Sequence, residues 1–189
     1  MREYSIDSIK KLFEYIGCDL SHREIPASIS AVLKGYFTIE NYRLIVWLRI
    51  CQYLKLKHKW LYPVAYCKFA RFKKKVGIDL NVSTPCGKGL SVVHGGAVYL
   101  NAERIGENCT FYQGVTLGVA SKNEDKRPII EDNVTVYTGA VIVGGVIVRS
   151  GATVAANSVV TKEVAKNALV AGVPAKQIKV YEHDECEKI

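Results

Sequence analysis

Long apolar runs are missing from this 189-residue chain. The longest stretches, such as Leu44 to Leu48, fall far short of the roughly 18 residues that cross a bilayer, so no spanning helix is expected. The N-terminus, MREYSIDSIKKLFEYIGCDL, has scattered charges and lacks an apolar h-region with a small-residue cleavage site. It does not read as a secretory signal, and a cytoplasmic address is expected. CxxC pairs are absent too. Six cysteines, Cys18, Cys51, Cys67, Cys86, Cys109 and Cys186, are widely spaced with no zinc-type pattern. Reduced thiols are expected, with neither a disulfide framework nor a structural metal. What is present, 49% hydrophobic residues with 15 Gly and 5 Pro, is the composition of a folded chain with a sizeable core.

The net charge of +8 is unevenly spread. Residues 1–78 hold 15 Lys plus Arg against 6 acids, and residues 79–189 hold 11 against 12. Between Arg43 and Lys75 lie ten basic residues and no acid, interleaved with Trp47, Tyr53, Trp60, Tyr62, Tyr66 and Phe69. Three readings fit this pattern: a solvated helical face, a contact with an anionic membrane surface, or a nucleic-acid site. No nucleic-acid motif accompanies the charge, so no nucleic-acid partner is expected.

The chain changes character at Gly77. Before it, Ile6 to Ile16 and Ile39 to Leu54 carry apolar residues at helical spacing. After it the helical period disappears, and an apolar residue returns every sixth position. The phase runs Leu80, Cys86, Val92, Val98, then after a one-residue insertion Ile105, Phe111, Leu117. After a longer excursion it resumes at Ile130, Val136, Ile142, Val148, Val154 and Val160. A period of six with small residues between the apolar ones means short strands bent at fixed corners, stacked as triangular coils in a parallel β-helix. The expected architecture is mainly β: an N-terminal helical segment over 1–76, a β-helix over 77–176, and a charged tail over 177–189.

Stacking places residues in columns. Val92, Phe111, Val136 and Val154 begin hexapeptides on one face of successive coils, so His94, Gln113, Thr138 and Ala156 form one vertical column. At about 4.8 Å per coil, Ala156 lies about 14 Å from His94. The column begins at a histidine and turns small. His94 is the only histidine of the repeat region, since His22 and His58 precede it and His183 lies in the tail. A zinc site would want about three such ligands, so no metal is expected.

These residues bring a family into view. GIDL at Gly77 to Leu80, GKGLSVVHGG at Gly87 to Gly96, IGENCTFYQGVTLG at Ile105 to Gly118 and AGVPAK at Ala171 to Lys176 resemble the serine acetyltransferase branch of the hexapeptide-repeat acyltransferases. LKGY at Leu33 to Tyr36 and NYR at Asn41 to Arg43 look like its helical lead-in. The resemblance implies a left-handed β-helix, a homotrimer that can pair further into a dimer of trimers, and acetyl-CoA as co-substrate. It implies His94 as general base, with Asp79 as the carboxylate that orients it. Gly118, Thr138, Ala156 and Lys176 are implied on the coenzyme A side. An imidazole, which ordinarily titrates near neutrality, suits removal of a hydroxyl proton.

Two departures bear on the acceptor. The family's serine enzymes carry Asp directly before the catalytic His, and Val93 stands there; they carry His before the proline of the excursion, and Arg127 stands there. A site that lacks a carboxylate for the ammonium group favours a neutral acceptor. The pattern resembles the shorter relatives that O-acetylate sugars in surface-polysaccharide synthesis, on acceptors that are often lipid-linked. That reading is the main expectation here, with serine as the alternative and a non-catalytic binding scaffold third. Residues 43–75 would then meet the inner membrane face. The excursion Val119 to Ile129 is expected as a flap over a neighbouring subunit's site, bringing Lys126 and Arg127 near the acceptor or the coenzyme phosphates. Gln113, below His94, is expected to face the substrate.

Overall fold

The computed structural model describes residues 4–21, 27–121 and 125–181. Four helices come first: α1 (Ile9–Ser21), α2 (Ile29–Thr38), α3 (Glu40–Lys57) and α4 (Tyr62–Val76). The Ser28 hydroxyl caps α2 by accepting from the Ala31 amide, and Pro63 sits in the first turn of α4, where its missing N–H costs no helical bond. α4 stops at Gly77, whose φ of 68° is left-handed. Ala65, Phe69 and Val76 form its buried face, at helical spacing.

Beyond Gly77 the chain coils into a triangular prism. One wall is a five-stranded parallel sheet of β1 (Ile78–Leu80), β3 (Val98–Leu100), β6 (Thr116–Gly118), β9 (Val141–Val143) and β12 (Val159–Val160). The second holds β4 (Arg104–Ile105), β7 (Ile129–Ile130) and β10 (Ile147–Val148). In the third, β2 (Ser91–Val93), β5 (Thr110–Tyr112), β8 (Thr135–Val136), β11 (Thr153–Val154) and β13 (Ala168–Gly172) are parallel. β14 (Ala175–Val180) adds to that wall antiparallel, so Gln177 to Val180, expected in the tail, close the last coil.

Each wall contributes one inward column. Leu80, Leu100, Leu117, Ile142 and Val160 stack from the first wall, and Cys86, Ile105, Ile130, Val148 and Val164 from the second. Val92, Phe111, Val136, Val154 and Val170 stack from the third, and all of these side chains are buried. The register corrects one expected position. Leu100, not Val98, pairs with Leu80, while Val98 pairs with Ile78. Val93 pairs with Tyr112, whereas Tyr99 pairs with Thr116, so the corner of His94 to Ala97 holds two residues more than the corner stacked on it.

The helices pack on the first coil and share its core, through Leu44, Ile45, Leu48 and Cys51 of α3. One ion pair fixes this junction. Arg49 is fully buried and grips Asp19 of α1 through Nε (2.8 Å) and Nη2 (3.0 Å). It also donates to the carbonyls of Cys86 (2.9 Å) and Gly87 (2.6 Å), while Asp19 accepts from the Leu90 amide (2.9 Å). Burial by itself would lower the guanidinium's pKa, and the charge and hydrogen bonds of Asp19 outweigh it and hold it raised. Satisfying every one of these groups is what makes a buried pair tolerable.

Candidate active site

The two extra residues of the His94 corner are accommodated by backbone that side chains rarely adopt. His94 (φ 59°) and Ala97 (φ 52°) are both left-handed without being glycine. Such backbone costs about 1–3 kcal/mol and persists where the surroundings impose it. Those surroundings are the ends of two helices. The Asn41 side chain donates to the Val92 carbonyl at 3.0 Å, and the Gly96 amide donates to the Val76 carbonyl at 2.9 Å. Gly95 fits between them because a Cβ there would lie 2.7 Å from the Val76 carbonyl oxygen.

His94 is exposed at the mouth of a cavity of about 390 Å3 between this corner and the start of α3. Thr38, Ile39, Glu40, Asn41, Tyr42 and Val93 are among its lining. The Glu40 carboxylate is held below its ordinary pKa by the Lys75 ammonium, which hydrogen-bonds to it at 2.5 Å. The site thus offers an imidazole, a carboxylate, a hydroxyl and an amide beside apolar walls, a mixture suited to a small hydroxylated molecule. Sequence reading missed Thr38, Glu40 and Asn41 as site residues. They lie more than fifty positions from His94, and no repeat connects them; only the proximity of LKGY and NYR hinted at them.

The expected column is present in the pairing. Gln113 follows Tyr112 as His94 follows Val93, the Gly139 amide donates to the Gln113 carbonyl (3.0 Å), and the Asn157 amide donates to that of Thr138 (2.8 Å). His94, Gln113, Thr138 and Ala156 therefore occupy equivalent places on successive coils. The Gln113 side-chain oxygen is buried without a hydrogen-bond partner, an uncommon condition that an incoming donor would relieve. Beside the column Tyr112 and Tyr137 stack at 4.9 Å.

Other expected residues lie elsewhere. Asp79 is outward on β1, where Lys73 of α4 takes its carboxylate, and the His94 imidazole makes no hydrogen bond among the described residues. The expected His94–Asp79 contact is therefore not made in the isolated chain: Asp79 sits three residues past the end of α4, within reach of Lys73 in its last turn. Gly118 ends β6 with open space where a Cβ would point. Lys176 is exposed on β14, paired with Ala171. Lys126 lies over Gly145, and Arg127 pairs with Glu103 at 3.0 Å. Both belong to the corner between the first and second walls, whereas His94 lies between the third and the first. Within one chain they do not meet His94. The middle of the excursion, 122–124, and Cys186 lie outside the described residues.

Five free cysteines are described, and Cys18, Cys51, Cys86 and Cys109 are buried. Burial pushes the thiols of Cys51, Cys86 and Cys109 up to about 12. No cluster of three or more metal-ligating side chains occurs among the described residues, and no helix there is long and apolar enough to cross a membrane.

No family model matches the chain. Among curated proteins it is similar to the serine acetyltransferase of Staphylococcus aureus (strain Mu50), 37% identical over 123 residues, which are 64% of this chain and 57% of that protein. The chain thus spans little more than half the length of the curated relatives it matches. Among solved structures it is similar to Neisseria gonorrhoeae serine acetyltransferase in complex with serine, with a TM-score of 0.72 and 28% identity over 91% of this chain and 71% of that one. It is also similar to the Brucella abortus serine acetyltransferase in complex with coenzyme A, with a TM-score of 0.68 and 24% identity over 89% and 68%. These likenesses settle the architecture: a left-handed parallel β-helix carrying an N-terminal helical segment.

Proposed function

We propose that the chain is an acetyl-CoA-dependent O-acetyltransferase in which His94 is the general base, and that serine is its acceptor. The observation that carries this is the His94 corner: an imidazole on strained backbone, held by Asn41 and Val76, at the mouth of a cavity and above a column of small residues. The relatives named above support the choice of serine, and none of those three names a polysaccharide enzyme. The sugar reading expected from sequence rests on Val93, on Arg127 and on the resemblance to shorter relatives, and is kept as the second.

The imidazole of His94 takes the proton of the acceptor hydroxyl as that oxygen attacks the thioester carbonyl, and returns it to the thiolate when the carbon–sulfur bond breaks. Its exposure leaves the imidazole open to an incoming acceptor. Orientation comes from the backbone on either side, through Asn41 and Val76. An extended pantetheine arm fits along Gln113, Thr138 and Ala156, where the unpartnered Gln113 oxygen can accept from one of its amide N–H groups. Gly118, at the far end of β6, would leave room for the arm bound to a neighbouring subunit, and Lys176, beside Ala171 below the column, would meet the phosphates. In a trimer, the excursion of one subunit would bring Lys126 and Arg127 to the His94 corner of the next. Asp79 would join His94 only on release from Lys73.

With no carboxylate at Val93, Glu40 is the cavity's exposed acid, and its bond to Lys75 would open to receive an ammonium. The test is loss of thioester absorbance from acetyl-CoA with serine or a panel of sugars. Serine turnover abolished by His94→Ala supports the proposal. Turnover with a sugar alone replaces the acceptor. Full activity in His94→Ala refutes the mechanism.

A further inference from the structure

The connection between α3 and α4 stands out from the rest of the surface. Trp60 is 77% exposed, Val64 66% and Leu56 53%, and Tyr66 beside them is also open to solvent. Burying these side chains against a partner would be favourable. The apolar tip is surrounded by cations. Lys55 and Lys57 lie in the last turn of α3, Lys59 in the connection, and Lys68, Arg71 and Lys74 along the exposed side of α4. Among the described residues no carboxylate pairs with Lys57, Lys59, Lys68, Arg71 or Lys74. Near the end of α4, Asp79 and Glu40 are engaged by other lysines, Lys73 and Lys75. From Trp60 through Val64, Cys67, Arg71 and Lys74, exposed positions recur at steps of three and four, apolar at the start and basic at the end.

We infer that this face docks on an anionic lipid surface, Leu56, Trp60 and Val64 entering the headgroup boundary and the surrounding lysines meeting lipid phosphates. Charge complementarity selects this occupant. A second copy of the same face would bring like charges together, which disfavours a symmetric contact. Nucleic acid would satisfy the lysines and leave the aliphatic Leu56 and Val64 without a role, whereas a tryptophan and aliphatic side chains ringed by lysines are what the boundary of a bilayer accommodates. The His94 cavity is built from the other end of α3, so docking leaves its mouth free.

The experiment is flotation of the full chain with phosphatidylcholine vesicles, with and without phosphatidylglycerol, at low and high salt. Binding to the anionic vesicles alone, weakened by salt, is expected. The pair Trp60→Ser with Val64→Ser, and separately Lys57→Glu with Lys59→Glu, should each lower the bound fraction about tenfold or more. Melting followed by circular dichroism should remain as in the parent, showing that the fold is kept. Failure to bind anionic vesicles at low salt overturns the inference, as does binding that neither pair of substitutions weakens. Binding of RNA or duplex DNA through the same lysines without vesicle binding replaces it with a nucleic-acid site, and loss of self-association in Trp60→Ser with Val64→Ser without vesicle binding replaces it with a contact between copies.

Discussion

The side-chain amide of Asn41, in the first turn of α3, donates to the main-chain carbonyl of Val92 at 3.0 Å, two residues before His94. This single bond spans fifty-one positions of sequence and ties the helical segment to the strained corner. Asn41→Ala leaves that carbonyl without its partner, at a cost of about 1 kcal/mol. The melting temperature should fall by about 2–4 °C. Acetyl transfer should fall further, by about tenfold to a hundredfold in kcat, because misplacing a base is costlier than losing one bond. Steady-state kinetics beside a thermal melt separate the two effects; equal rates in parent and variant would show that the tie does not position His94.

Gly95 makes a steric version of the same prediction. A methyl group added there meets the Val76 carbonyl oxygen at 2.7 Å, a main-chain atom that cannot swing away. Gly95→Ala should therefore push the His94 corner off α4, with a loss of kcat larger than that of Asn41→Ala. Gly118→Ala is the control, since a methyl group there meets nothing within 4 Å in the isolated chain. If that control impairs acetyl-CoA binding while leaving the melt unchanged, the open space beside β6 is where the donor lies.

Arg49 and Asp19 predict a non-additive pair. Arg49→Met leaves a buried carboxylate facing apolar surroundings, and should cost about 3–5 kcal/mol in urea unfolding. Combining it with Asp19→Leu should restore most of that stability, because two buried charges vanish together. A double variant as unstable as the sum of the single ones would mean that the hydrogen bonds to Cys86 and Gly87, more than the charge pair, hold the helices on the first coil.

Thiol reactivity follows from burial. Cys51, Cys86 and Cys109 have pKa values raised to about 12 by desolvation, so at pH 8 they stay protonated and shielded, and the thiolate that attacks disulfide reagents is scarce. Cys67 is exposed. Native protein at pH 8 should show one fast thiol among the described residues, lost in Cys67→Ser, with the buried ones appearing only on unfolding. A fast burst from Cys86 or Cys109 would show that the prism opens on the timescale of labelling.

The period of six was legible because every sixth side chain has the same fate: from Leu80 to Val160 each apolar position assigned to the repeat is buried. The error lay where the period breaks. Two extra residues between Val93 and Tyr99 shift the column from Val98 to Leu100, and hydrophobicity alone could not reveal this, since Val98 is buried too. His94 was legible as the repeat's single histidine. Its setting was not, because Asn41, Glu40 and Val76 reach it from helices whose local pattern concerns only their own packing. Lys73 is a related case: the sequence places it six residues from Asp79 without showing that the left-handed turn at Gly77 brings their side chains together.

β14 has a consequence for assembly. A stack of parallel coils is open at both ends, and its bare strand edges are templates on which further copies could add without limit. Here the helical segment covers the first coil, through α3 on β2 and α4 on β1, while β14 reverses direction against β13. The reversed strand carries Lys176 and Lys179 outward, so a following coil would meet charge on an edge of the wrong polarity. The chain therefore carries a helical stop at its first coil and, on the third wall, a reversed strand that blocks further parallel pairing.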